Sequence, residues 1–173
     1  MSRYRARALE RGDFDSLMRL EEDIFGREGE SVLGPYYVRL CCEFFCSTCF
    51  VVEHDGEIVG YVLTFVQDRE AYCTTLAVLP RYQRSRVLHL LLRELVTTLL
   101  PRVDACWFTV RRDNHAARLL HAGLGAEEIT VRQDFYGPGD DRIVSRIGRD
   151  AVARLRRRYE RLGWPAEDVG SAA

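Results

Sequence analysis

The sequence predicts one mixed α/β domain, and three observations carry that prediction. The chain has 173 residues, enough to bury a sizeable core and too few for two ordinary domains. Segments rich in β-branched and aromatic residues alternate with segments whose apolar residues recur at helical spacing. No repeat, linker or low-complexity block divides the chain, so residues 1–165 read as a single domain and 166–173 as a frayed tail.

The elements follow in order. Residues 4–9 suit a short strand, and Asp13 is a candidate N-cap for a helix through Phe25, whose apolar side carries Phe14, Leu17, Met18 and Leu20. Residues 26–34 form a glycine-punctuated loop with Glu28 and Glu30, and a second helix follows Pro35 to about Phe45. Residues 48–53 and 58–66 are strands joined by Asp55-Gly56, a strong two-residue hairpin signal. A strand over 71–79 leads through a turn closed by Pro80 into a long helix reaching Leu100, with Leu88, Leu91, Leu92, Leu95 and Leu99 along its apolar side. Residues 105–110 are a buried strand and 114–121 a short helix ended by Gly123. Strands over 128–132 and 142–147 flank a loop through Asp134 and Tyr136, and residues 150–162 form a last amphipathic helix.

Composition narrows the function classes. Hydrophobic residues make up 47% and charged residues 29%, as in an ordinary globular protein. A net charge of −1 gives the molecule no basic field with which to collect nucleic acid. All 25 cationic side chains are Arg, which suits bidentate grip on phosphates and carboxylates but equally follows from codon bias. The basic side of the last helix, Arg154, Arg156, Arg157, Arg158 and Arg161, reads as a solvated surface. No apolar run approaches the ~20 residues that cross a membrane, and the basic start Arg3-Tyr4-Arg5 leads into no signal-peptide core. The expectation is therefore a cytoplasmic protein that binds neither membrane nor nucleic acid. Cys42, Cys46 and Cys49 have a C-x3-C-x2-C spacing, but they fall within or beside an apolar helical run where thiols behave as small hydrophobes. No second ligand pair supports zinc, so no metal is expected.

The strand-to-helix junction holds the chemistry. Where the strand ending at Val78 and Leu79 gives way to the helix, backbone N–H groups lack intrahelical partners beside the positive end of the helix dipole, a setting that attracts phosphate. The run Leu76-Ala77-Val78-Leu79-Pro80-Arg81-Tyr82-Gln83, entering an apolar helix, resembles the acyl-CoA-binding segment of GNAT-type N-acetyltransferases. In that family the turn reads Q/R-x-x-G-x-G/A, and here it is Gln83, Arg84, Ser85, Arg86, Val87 and Leu88. Gln83 fits, whereas Arg86 and Leu88 stand where glycines are expected. A second segment is similar to the family's N-x-x-A-x-x-L-Y-x-x-x-G-F signature, with Asn114, Ala117, Leu120 and Gly125 in register and His121 at the Tyr position.

The resemblance implies a GNAT fold (acyl-CoA N-acyltransferase), a mixed central sheet with a splayed strand pair and flanking helices. It implies acetyl-CoA as co-substrate, with no metal, and transfer of acetyl to a primary amine of a small molecule or amino acid. The Leu76 amide would contact the thioester oxygen, Val78 would hold the pantetheine arm with Ala77 beside it, and amides of residues 84–88 would take the pyrophosphate. Arg84 and Arg86 could add charge-assisted contacts, while a positive φ at Arg86 or Leu88 would be unfavourable. Asn114 and Ala117 belong to the coenzyme side.

For the acid, His121 can replace the family's Tyr, since its unperturbed pKa of ~6.5 lies near working pH; equally, it can simply pack against the groove or core. For the base, the strand positions carry Tyr72 and Thr74, which leaves Glu70, acting through water, or an amine that arrives neutral. Residues 36–49 resemble the same region of diaminobutyrate acetyltransferases, with Phe25, Tyr36, Tyr37 and Thr74 on the acceptor side. There Arg39 could hold an amino acid's carboxylate, and Glu28, Glu30, Glu43 and Asp134 would suit a cationic acceptor. Residues 132–136 echo ribosomal-protein N-terminal acetyltransferases, where Tyr136 would contact a peptide backbone or serve as the acid. Two alternatives stand beside the small-molecule reading: a protein N-terminal acetyltransferase, and a GNAT-shaped binding or regulatory module without catalysis, favoured by the missing glycines and Tyr. A homodimer through the last helix is a further expectation.

Overall fold

Antiparallel pairing builds the first half of a seven-stranded sheet whose order, with strands numbered along the chain, is β1-β2-β3-β4-β5-β7-β6. The computed structural model describes residues 4–26 and 32–161. The acidic loop with Glu28 and Glu30, the end of the last helix at Leu162 and the 166–173 tail lie outside the described residues.

Strand β1 is Tyr4–Ala8, β2 Phe50–His54, β3 Glu57–Gln67 and β4 Glu70–Val78. Asp55 (φ 49°) and Gly56 (φ 89°) make the expected hairpin between β2 and β3, both in the left-handed region that this turn demands. Helices α1 (Phe14–Phe25) and α2 (Pro35–Phe44) follow β1. Asp13 does not cap α1 through its side chain. It instead receives two bonds from Arg7 (2.7 and 2.8 Å) and one from the Glu10 amide (2.8 Å). Arg7 also donates to Glu53 of β2 at 2.6 Å, so one guanidinium ties β1, β2 and the start of α1.

The long helix after β4 begins as α3 (Val87–Glu94), then widens into a π-turn over Leu95–Leu99 and ends in a 3-10 turn at Leu100–Arg102, with Pro101 at its start. Its first turn sits tight against the sheet: a Cβ on Gly60 would meet Val87 Cγ1 at 2.6 Å, so a glycine is required there. The second half consists of β5 (Ala105–Arg111), α4 (His115–Gly123), β6 (Glu127–Arg132), β7 (Arg142–Gly148) and α5 (Arg149–Arg161). Asn114 Oδ1 caps α4 by accepting from the Ala117 amide at 3.0 Å, and Gly125 (φ 77°) ends the turn after it.

One continuous core joins the helices to the sheet, from Leu17 and Val38 through Val51, Leu63 and Leu91 to Ile147 and Leu155. All six cysteines are free, and Cys41, Cys42 and Cys49 are part of that core. Among the described residues no group of three His, Cys, Asp or Glu side chains could hold a metal ion, and no helix is long and apolar enough to cross a membrane.

Candidate active site

The sheet opens at its middle. β4 and β5 run parallel and pair only from Glu70–Ala105 to Cys73–Phe108. Beyond that point β4 stays bonded to β3 through Val78, and β5 stays bonded to β7 through Arg111. The two strands therefore diverge, and each turns an unpaired edge toward the gap. Backbone N–H and C=O groups on such edges need partners, and an extended chain laid between them supplies them as an added strand would. Leu76, Ala77 and Val78 line the β4 edge, with Ala77 and Val78 buried.

A bulge sharpens the divergence. Leu63 faces Thr75 while Thr64 faces Cys73, so Thr74 is an extra residue in β4 at the level where pairing with β5 stops. Its hydroxyl donates to Leu63 O (3.2 Å) and shares a short hydrogen bond with the Tyr37 phenol of α2. Burial pushes the Tyr37 phenol well above its ordinary value, so it stays protonated.

The two faces of the sheet at this gap differ. Tyr72 is the cross-strand partner of Phe65, whose ring packs edge-on against Tyr37 and Phe45, so Tyr72 lies on the face covered by α2. Thr109 of β5 shares that face, because Tyr72 is level with Trp107 in the parallel register. Tyr72 Oη lies 2.8 Å from Thr109 Oγ1 and 2.9 Å from Tyr136 Oη, and Tyr136 closes the triangle at 3.3 Å from Thr109. Burial raises the Tyr72 phenol, and hydrogen bonding to Tyr136 raises it further against the opposing pull of Thr109. Three hydroxyls from β4, β5 and the β6–β7 loop thus converge beside the split.

The opposite face carries α3 and α4. The loop entering α3 contains no residue with positive φ; Arg86 itself is right-handed at φ −74°. Arg86 and Leu88 therefore replace glycines without the backbone strain expected from the sequence. The loop is closed by its own bonds: Ser85 N to Tyr82 O at 2.9 Å, Ser85 Oγ to the same carbonyl at 2.6 Å, and Val87 N to Ser85 Oγ at 3.3 Å. The amides of Ser85 and Val87 are thus already engaged, and those of Arg84, Arg86 and Leu88 carry no partner among the described residues. Gln83, Arg84 and Arg86 are exposed at the helix start, where the dipole and free amides favour an anion. These features fit an extended thioester arm in the gap with its phosphates at α3.

Other sequence candidates lie elsewhere. Glu70 is at the far end of β4, level with Ala105 and roughly 13 Å from Thr74 at strand spacing. Its carboxylate accepts from Trp107 Nε1 at 3.0 Å. Glu70 thus stands away from the bulge, bonded to Trp107, and would reach an amine only through water. Arg39 lies 3.8 Å over the Phe14 ring and 3.6 Å from Glu43, so its guanidinium is held on α2 by contacts within the protein. Asp134, at φ 51°, accepts from the Gly139 amide at 2.6 Å and so serves its own loop. Phe25 packs against the core, and Tyr36 projects into solvent, 79% exposed.

His121 stacks on Phe108, with ring centroids 4.6 Å apart. Its Nδ1 is buried without a hydrogen-bond partner among the described residues. Burial holds its pKa below the ordinary value, with the Glu128 charge pulling the other way. A neutral, stacked imidazole is a poor proton donor, so the geometry favours the packing alternative for His121. Thr109 and the Thr74 bulge were missed from sequence. Both need the strand register, and no spacing along the chain reveals it.

A cavity of about 410 Å³ lies between the β5–α4 turn (Arg111, Arg112, Asp113) and the β6–β7 loop (Gly139, Asp140, Asp141). Glu21 of α1 is fully buried and accepts from the Leu33 amide at 2.8 Å, which joins α1 to the approach of α2 on the acceptor face.

Comparison with known proteins places this geometry. Residues 14–126 match the model of the acetyltransferase (GNAT) family. The ribosomal protein bS18-alanine N-acetyltransferase of Escherichia coli K12 is 35% identical over 94 residues, 54% of this chain and 64% of that protein. The match thus spans somewhat less than two thirds of that relative's length. The crystal structure of the E. coli ribosomal-protein-S18-alanine N-acetyltransferase superposes with a TM-score of 0.69 at 25% identity, covering 84% of this chain and 94% of the other. Diaminobutyrate acetyltransferase from Paenibacillus lautus, solved with L-2,4-diaminobutyric acid and coenzyme A, superposes with a TM-score of 0.72 at 22% identity, covering 86% and 96%. The seven-stranded sheet and its flanking helices are the fold of these structures.

Proposed function

Because this chain belongs to the GNAT acetyltransferase family, we propose that it is an acetyl-CoA-dependent N-acetyltransferase acting on the α-amine of a peptide or protein N-terminus. The observation that carries the reading is the divergence of β4 from β5 beyond Cys73 and Phe108, beside a three-hydroxyl cluster. A bound thioester supplies an acetyl carbonyl open to attack by an amine. The chain's own contributions follow from its geometry. The free edge at Leu76 and Val78 holds the extended arm, and the exposed start of α3, with Arg84 and Arg86, neutralises phosphate charge. On the other face Tyr72, Thr109 and Tyr136 orient the amine, each oxygen able to accept an N–H. No carboxylate bonds to that cluster among the described residues, so the amine arrives neutral or loses its proton to water. Tyr136, joined to Tyr72 and Thr109, is the proton donor better placed for the departing thiolate than the stacked His121.

The choice of acceptor rests on two further features. A free amino acid needs a cation for its carboxylate, and Arg39 is engaged by Phe14 and Glu43. The rim is open instead: Tyr136 is 59% exposed, and the cavity bordered by residues 138–141 of its loop offers room for the residues that follow a terminal one. A curated relative acting on a ribosomal-protein alanine supports the same direction. The small-molecule amine reading keeps the support of the diaminobutyrate acetyltransferase fold.

Thiol release with acetyl-CoA, measured on a panel of N-terminal peptides and of free amino acids and diamines, tests this. Peptides should show at least tenfold higher kcat/KM. The reverse order overturns the acceptor assignment, and coenzyme binding without turnover on either set supports the non-catalytic module. In a thermal-shift scan, CoA at 100 times Kd should stabilise the fold by ~2.7 kcal/mol.

A further inference from the structure

The phosphate loop has no glycine and no positive φ, so its shape is not selected by backbone freedom. Its hub is Tyr82. The Tyr82 carbonyl accepts both the Ser85 amide and the Ser85 hydroxyl, and so sets the turn from which Arg84, Arg86 and Leu88 present their amides. The Tyr82 side chain leaves the loop and reaches the far end of the hairpin. Its hydroxyl lies 3.0 Å from His54 Nδ1. Its ring packs against His54 (centroids 5.2 Å) and edge-on to Tyr4 (6.4 Å, 87°), while Tyr4 and His54 pack on each other at 4.5 Å. Tyr4 and His54 are register partners of β1 and β2, so the three rings rest on the sheet itself. His54 is largely covered, and its Nε2 lies 3.7 Å from Asp55. A second tether, Arg81 to Glu57 at 3.7 Å, is an exposed pair and adds little.

We propose that His54 is a positioning residue for the coenzyme's phosphates, acting through Tyr82: the imidazole–phenol bond and the Tyr4 stack hold the loop in its anion-binding shape, where relatives rely on glycines. This rests on the acetyl-CoA reading. His54 touches neither the gap nor the hydroxyl cluster. Its effect is therefore confined to the part of the donor that carries phosphate.

The test compares two donors on the full chain, acetyl-CoA and S-acetylpantetheine, the second lacking every phosphate. In His54→Ala the Kd for CoA, by calorimetry, should rise about five- to tenfold, the effect of one lost hydrogen bond at a loop. Its kcat/KM with S-acetylpantetheine should equal that of the wild type. His54→Gln, which keeps a polar partner for the phenol, should recover much of the CoA affinity. Tyr82→Phe should weaken CoA binding to a similar degree and add nothing to His54→Ala in the double variant. Unchanged CoA affinity in His54→Ala and His54→Gln, or an equal loss with both donors, overturns the brace and leaves the transferase reading standing. A wild type that binds no CoA overturns that reading and the brace together.

Discussion

The split divides the sheet into two walls of different character. The β1–β4 wall is covered on both faces, by α1 and α2 on one side and α3 on the other, and most of β2 and β3 is buried. It also carries a guanidinium shared by two half-buried carboxylates, Arg7 with Asp13 and Glu53. The β5–β7–β6 wall is thinner: all of β6 is exposed, and α4 buries no residue completely. Burial and satisfied polar groups make the first wall costly to open, while β6 and α4, the outer part of the second, have few apolar contacts to lose. On the proposed function, the thioester arm lies along an edge that does not move, and Tyr136 approaches from a segment that can adapt to the acceptor.

Four substitutions and one exchange measurement would break or sharpen this contrast. The largest effect should come from Arg7→Met, which strands Asp13 and Glu53 as half-buried carboxylates and should lower unfolding free energy by about 3 kcal/mol in denaturant melts. The same variant has a pH signature. Burial alone would push Asp13 up, but hydrogen bonds from Arg7 and the Glu10 amide outweigh it and hold the carboxyl below its ordinary value. A depressed carboxyl contributes stability above the unfolded pKa of about 4 and loses it as pH falls through the folded value. Wild-type stability should therefore fall on the acid side more steeply than that of the Met variant.

Next in size is Gly60→Ala, which thrusts a methyl at Val87 Cγ1 and, at 3.1 Å, the Ala77 carbonyl. Overpacking there should cost about 2 kcal/mol and weaken CoA binding, because the start of α3 must shift. Tyr136→Phe should leave the melting temperature unchanged and lower kcat about tenfold, since only a shared hydroxyl is removed. An unchanged kcat would exclude Tyr136 from the chemistry. Smallest of all, Ile129→Ser on half-exposed β6 should change stability by less than about 0.5 kcal/mol. Amide exchange should find β6 opening before β3, and the reverse order would dissolve the distinction between the walls.

Much of the framework was legible in the residues. The Asp55-Gly56 hairpin and Pro35 opening α2 are local signals, each decided within a few residues of chain. The two family segments, Gln83 to Leu88 and Asn114 to Gly125, were legible for the same reason. What the residues did not reveal is which partner a polar side chain takes. Asp13 looked like a cap and is bonded by Arg7, Arg39 contacts Phe14 and Glu43, and Glu70 accepts from Trp107. Arg86 and Leu88 avoid the positive φ that would have been unfavourable for them, and Arg86 is right-handed.

Periodicity and turn residues by themselves determined the element order and the helix–strand boundaries to within a few residues, and the family came from the resemblance of two segments, Gln83 to Leu88 and Asn114 to Gly125. Those quantities depend on interactions between near neighbours in the chain. Only the tertiary structure decided where β4 parts from β5, that Thr74 is the extra residue in the bulge, and that Tyr72, Thr109 and Tyr136 meet. Each depends on the register between strands and on which face a side chain occupies, and one residue of slip would exchange the faces.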